Sequence, residues 1–380
     1  MAASKEPEVH AIAEAHRAAQ ARLGIAGSYL SIAEWGSVNT LNASASGASW
    51  IVRALRMIFA IRKKSTRLAV AYIRLTRALE TGYTLGYPEF SDDPDKMTMG
   101  VLREQFRDLL LEIADIDTTA SDTTDVDERW FESELRRAEE DSEPRQDRIH
   151  FPDTAIDEQI QDWLDVAGAD DDAAIAIEDF DWGQDMTPEE VNKAFEDILN
   201  QDVVKAHEDK VKKLKRADTT PADAMDAIEK ANDATASNGG GFVDQFGINA
   251  GREVIDHVFR GDRRVAAYAR MCRPGACAFC TMMASRGFVY RSKHSAGVDG
   301  INSYHKNCHC YAILRYVDKP ELPAQNAYWK AAYKREVTDK GYVNQASTSN
   351  SAGKNNALNA WRRWLNRQRK AELQRAKLTE

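Results

Sequence analysis

The chain is predicted to be mainly α-helical, with a small α+β unit built around a cysteine and histidine cluster. Three observations carry this. Through the first ninety residues, apolar side chains recur at three- and four-residue steps. All five cysteines fall within 39 residues, Cys272 to Cys310. Short β-type runs, Phe288-Val289-Tyr290 and Cys308 to Val317, flank the cluster. At 380 residues, the chain is longer than one ordinary domain, and 43% hydrophobic content is enough for a sizeable core.

The elements follow in order. Glu8 to Leu23 is Ala-rich and reads as helix. The polar, small-residue stretch 38–49 reads as a connector. A second helix carries Ile51, Leu55, Ile58, Leu68, Tyr72 and Leu75 on one stripe and ends at Gly82, ahead of Gly86-Tyr87-Pro88. Residues 91–187 are acidic and turn-rich with isolated aromatics, consistent with a small lid or a segment that orders on a partner. Thr187-Pro188-Glu189-Glu190 is a helix start, with a capping hydroxyl, proline at the first turn and a glutamate three residues on. That helix should run to about Lys215. Thr220-Pro221-Ala222-Asp223 opens another, and Ser237-Asn238-Gly239-Gly240-Gly241 reads as a linker and domain boundary. Beyond it, Ala250 to Met271 is expected as an amphipathic helix, followed by a turn at Pro274-Gly275. A short helix from Cys277 to Arg286 closes on Gly287. Asn355 to Lys377 forms a last helix with Leu358, Trp361 and Leu365 on one stripe and Trp364 beside it. Four regions result: a helical 1–90, an acidic and partly helical 91–240, an α+β 241–320 holding the cluster, and a basic helical tail 321–380.

Charge is arranged in blocks beneath a net charge of -9. Residues 1–80 carry 11 basic against 5 acidic side chains, and residues 141–190 carry 17 acidic against 2 basic. Residues 251–318 return to 11 basic against 5 acidic, and 321–380 to 12 against 5. Such a polyampholyte can fold its acidic block onto a basic face or offer each block to a different partner. The cations at 53, 56, 62–64, 67, 74 and 77 read first as a solvated helix face. The C-terminal cations could lie on DNA phosphates, on an acidic membrane surface, or on the chain's own acidic block. No apolar run approaches a membrane span, and MAASKEPEVH has no apolar signal core, so a membrane span and secretion are not expected.

The cysteines carry the most chemical information. Cys277-x2-Cys280 is followed after 24 residues by His305-x2-Cys308-x-Cys310. Two ligand pairs separated by such a loop suit tetrahedral Zn2+ held structurally. Cys277, Cys280, His305, Cys308 and Cys310 compete for four places, and the spacing leaves open which of Cys308 and Cys310 binds. His294 and His309 are weaker candidates, and Cys272 reads as a core cysteine. Disulfides are one rival, though they need an oxidising setting. A catalytic zinc is another, since Pro274-Gly-Ala-Cys277-x-x-Cys280 resembles half of the deaminase signature. That chemistry also needs a His-x-Glu upstream, and none is present.

The run Tyr268-x-Arg270, Phe279-Cys280-Thr-Met-Met-Ala284-Ser-Arg286-Gly287, Tyr290, closing on Tyr304-His305-Lys-Asn307-Cys308-His309-Cys310, resembles the minor head proteins of tailed bacteriophages. It is most similar to the Mu F-like (MuF) and VG15 group encoded beside portal proteins. The similarity covers roughly 250–317, with a looser one at STRLAVAYIRLTRALE in the N-terminal helices, and Lys306 stands where the group usually has proline. The resemblance implies a MuF-like α+β domain at 241–320 and a virion component rather than an enzyme. It further implies a minor capsid or head morphogenesis protein made in the host cytoplasm and placed inside the capsid near the portal vertex. Portal or capsid protein, packaged double-stranded DNA and further copies of the chain are the expected partners. The alternatives are a zinc-knuckle DNA-binding protein and a zinc-dependent nucleic-acid enzyme.

Overall fold

In the computed structural model, Ile51, Leu55, Ile58, Leu68, Tyr72 and Leu75 are all buried, as their spacing predicts. The structure describes residues 5–90, 92–114, 116, 156–168, 170–216, 220–272, 276–290, 308–342 and 356–379. The chain divides into two compact units, Met1–Asp262 with Asp299–Cys308, and Arg263–Val298 with His309–Glu380.

The first unit is a helical assembly. Its centre is three long helices, α1 (Glu6–Trp35), α2 (Ala43–Thr81) and, later in the chain, Pro221–Gly261, which pack pairwise. Gly82 ends α2 as predicted, with φ 75°, a conformation glycine adopts without a Cβ penalty. β1 (Tyr83–Leu85) follows and pairs in parallel with β2 (Ala176–Glu178) in the register Tyr83↔Ala176. Between them lie α3 (Met99–Ala114) and α4 (Ile156–Val166), whose Trp163 is buried edge-on against Phe106. Trp130, Phe131 and the acidic positions up to 155 lie outside the described residues.

The predicted start at Thr187 is observed in full. Thr187 Oγ1 accepts from the Glu190 backbone N–H, and Glu190 accepts in return from the Thr187 N–H at 2.9 Å. From there α5 (Pro188–Leu199), a π-type turn over Asn200–Lys205 and α6 (Ala206–Lys215) run on to the expected end. Thr220 caps α7 (Pro221–Gly261) through the Asp223 N–H.

Three expectations about elements need correction. The connector expected at 38–49 stops at Asn42, because Ala43 to Ser49 already belong to α2. Gly47 lies in that turn, and any Cβ there would meet Val204 at 2.8 Å. The small residues that suggested a loop are what a close helix crossing requires. The same holds for Ser237 to Gly241, which is no linker but the middle of α7, with Gly239, Gly240 and Gly241 buried. A Cβ on Gly240 would stand 2.8 Å from the Ser28 carbonyl oxygen of α1, so α7 can approach α1 only through glycine. Finally, the helix expected over 250–271 ends at Gly261, and Ala267–Met271 is a strand.

The cations of α2 are the largest departure. Arg53, Arg56, Lys63 and Arg67 keep some exposure, but Arg62, Arg74 and Arg77 are among the most deeply buried side chains rather than part of a solvated face. Arg62 bonds Asp185 at 2.6 Å and Glu253 at 2.7 Å, Arg74 bonds Asp92 at 2.6 Å, and Lys64 bonds Glu112 at 2.6 Å. Arg77 takes Asp262 at 2.8 Å and also Glu178. From α3, Arg103 gathers Glu8, Asp170 and Asp171 at 2.7–2.8 Å. Asp170, Asp171, Glu178 and Asp185 of the acidic block thus fold onto buried cations of α2 and α3, one of the outcomes expected of a polyampholyte. Burial by itself lowers the Arg62 pKa, but Glu253 and Asp185 outweigh it and the net shift is upward. For Arg74, burial prevails over the attraction of Asp92, and the net shift is downward.

The second unit joins a small sheet to helices. Its strands β3 (Ala267–Met271), β4 (Val289–Tyr290) and β5 (Tyr311–Arg315) form an antiparallel sheet in the order β4-β3-β5. α8 (Ala278–Ala284), α9 (Ala324–Tyr333), a π-type turn over Lys334–Thr338 and α10 (Asn356–Thr379) complete it. No helix among the described residues is long and apolar enough to cross a membrane.

Candidate metal centre

The cluster is assembled by three short elements. β3 and β5 pair from Ala267↔Arg315 to Met271↔Tyr311, so Cys272 and Cys310 come one residue beyond the last registered pair. Cys277 is the N-cap of α8, and its Sγ accepts from the Cys280 N–H at 3.4 Å. Gly287, with φ 70°, follows the end of α8 where the sequence places its closure. Cys308 and Cys310 then lead into β5.

This geometry brings Cys280, Cys308 and Cys310 together, with their three Sγ atoms within 4.8 Å of one another. All three are buried, at 1%, 4% and 2% exposure. Tetrahedral zinc with bonds of about 2.3 Å sets ligand sulfurs roughly 3.8 Å apart, so the three thiols need only a small contraction to share one ion. Soft, buried sulfur donors are the set that zinc selects over hard cations. The donors present therefore fit structural zinc with one further ligand.

Cys277 is half-buried and engaged as a helix cap, so it would have to turn its Sγ toward the cluster to become that ligand. His305, like His294, lies outside the described residues. The pairing of Cys308 and Cys310 at one place departs from the expectation that only one of them is used. His309 is buried between them in sequence. Cys272 is fully buried, as expected of a core cysteine, but it stands at the end of a strand rather than a helix. Its Sγ donates to the Cys280 carbonyl at 3.1 Å.

Sequence reasoning missed what braces the cysteine turn. Trp361 of α10 donates through Nε1 to Thr281 Oγ1 at 2.9 Å, and Thr281 Oγ1 donates in turn to the Cys277 carbonyl at 3.1 Å. Arg369 donates to the Ala276 carbonyl at 2.6 Å. Asn326 of α9 donates to the carbonyls of Arg270 and Ala284, tying the end of β3 to the end of α8. Met282 packs with Trp361, Trp364 and Leu365 in one apolar cluster that Phe279, Met283 and Trp329 extend. The helix read as a basic tail is therefore part of the structure that holds Cys277 and Cys280. Its signal was the apolar stripe of Trp361 and Leu365, which marked a packing face without naming the partner.

Residues 185–336 match the model of the family described as VG15 protein, a phage-associated family. The match contains all five cysteines and begins well before the motif-bearing stretch at 250–317. It covers less than half of the chain, and α1, α2 and α10 fall outside it. No curated protein and no solved structure matches the chain.

Proposed function

We propose that the protein is a structural component of a tailed-phage head: a minor capsid or head morphogenesis protein, made in the host cytoplasm and placed inside the capsid near the portal vertex. The observation that carries this reading is the VG15 match over 185–336, which encloses the whole cysteine cluster. Portal or capsid protein is the partner, and the chain acts by assembly rather than by catalysis. The ion pairs that bind Arg62, Arg77 and Arg103 to carboxylates are fitting for such a body, since they use charge internally instead of presenting it to a substrate.

In this reading, Cys280, Cys308 and Cys310 hold a structural Zn2+, with Cys277 or His305 as the fourth ligand. The ion would staple strand to helix in a unit whose strands are two to five residues long. Structural zinc contributes on the order of 10 kcal/mol to folding such units. The functional reading is tested by deleting the gene from the phage or prophage that carries it. Shells should still assemble but lose infectivity or DNA content. Wild-type infectivity and DNA content without the protein would refute the assignment.

A further inference from the structure

The cations of this chain have two different fates. On α2, Arg62, Lys64, Arg74 and Arg77 are buried and matched by acids. Those of α10 are not. Arg362, Arg363, Arg367 and Lys370 are exposed, and none has an acidic partner among the described residues. Among the described residues, Arg362 donates to the Asn359 side chain at 3.3 Å. From Asn356 to Ala371 the helix has no acidic residue at all. Its orientation is fixed, because Trp361 is fully buried, Trp364 and Leu365 are nearly so, and Trp361 is hydrogen-bonded to Thr281. The cationic side is thereby held outward within its unit.

We propose that this outward face of α10 is a docking surface for the phosphate backbone of double-stranded DNA. Arg363, Arg367 and Lys370 fall at i, i+4 and i+7, a single stripe about 10 Å long at 1.5 Å per residue. Duplex DNA carries one charge per roughly 1.7 Å of axis, so a stripe of that length faces several phosphates.

The other polyanions fit less well. An acidic membrane would need the apolar face of α10 for insertion, and that face is already buried in the core of its unit. Within the chain's own acidic block, Asp170, Asp171, Glu178 and Asp185 already bind Arg103, Arg77 and Arg62. Single-stranded nucleic acid is held by aromatic platforms that stack bases, whereas Trp361 and Trp364 point into the core. What remains is binding by phosphate contact, without sequence preference. The surface lies outside the family-matched residues. It rests on the head assignment only for the source of the duplex, which there is the packaged genome.

The test uses the full-length protein and a labelled duplex of about 30 base pairs, with affinity measured against salt. Each phosphate contact contributes about -0.9 to the slope of log affinity against log salt. The variant Arg363→Gln/Arg367→Gln/Lys370→Gln should flatten the slope by about 2 to 3, with the circular dichroism spectrum unchanged because the three side chains are exposed. No duplex binding by the wild type, or an unchanged slope in the variant, would overturn the surface. Stronger retention on a single strand of the same length, or on anionic vesicles, would overturn it as well. Virion incorporation is scored separately. A protein absent from virions that still shows the slope change refutes the head assignment alone, and a virion protein with an unchanged slope refutes this surface alone.

Discussion

His16 sits fully buried between α1 and α2, stacked on Tyr72 at 4.4 Å and within 3.2 Å of the Gln20 amide. Burial first, and neighbouring Arg17 second, lower its pKa to about 3. The folded state therefore keeps His16 neutral, while an unfolded chain would protonate it near pH 6.5. Between pH 6.5 and about 3 the unfolded state binds the extra proton, so stability falls as the pH falls through that window. The loss from this one group is up to about 1.4 kcal/mol per pH unit. His16→Gln should flatten the acid limb of a denaturant-melt stability profile by that amount, and an identical limb would show that His16 does not carry it. Arg77 offers a second test. Its removal takes the Arg77 guanidinium away from Asp262, which is only 6% exposed. Arg77→Ala should cost roughly 3–5 kcal/mol, and a loss below 1 kcal/mol in the same melts would mean the pair is solvated. Neither site was legible in sequence. A buried arginine and a surface one occupy the same helical spacing, and the acids that decide between them arrive from far along the chain, 123 residues for Asp185.

Element starts were the most legible feature, because a cap is chemistry confined to four residues. Thr187-Pro188-x-Glu190 and Thr220-Pro221-x-Asp223 each specify their own hydrogen bonds, and both helices begin there. Glycines were the least legible, since one residue type serves both a loop and a close helix crossing. Gly240 separates these meanings experimentally. In a linker, or on an open helix face, Gly240→Ala would be neutral or would stabilise by up to about 1 kcal/mol. Against the Ser28 carbonyl it should destabilise by about 1–3 kcal/mol, while Ser237→Ala on the exposed side should not. Thermal melts of the two variants check this, and equal melting temperatures would count against the packed-helix reading. The strand at Ala267–Met271 was misread for a related reason. Val254, Val258, Val265 and Tyr268 share one face at helical spacing, which continues unbroken across the actual helix end at Gly261-Asp262. Strand pairing with Tyr311–Arg315, forty residues on, supplies what local periodicity cannot.

At the scale of the whole molecule, the cysteine spacing pointed to a shared site, and three of the five candidates do meet. The bracing of that site by α9 and α10 was invisible, because it depends on contacts between segments some eighty residues apart, such as Trp361 with Thr281. If zinc is bound, elemental analysis of purified protein should give close to one zinc per chain. Cys280→Ser should then lower hydrogen-exchange protection in β3, α8 and β5, while α1 and α2 stay protected. Full protection of the second unit in metal-free protein would exclude a structural ion. The head assignment unites the family match, the internally neutralised body and the outward basic helix, and it makes a direct demand on composition. Quantitative mass spectrometry of purified, DNA-filled particles from the encoding phage or prophage should find this chain at a fixed ratio to portal protein, retained after high-salt washing. Its absence from those particles, with the protein recovered in the host cell fraction, would contradict the assignment.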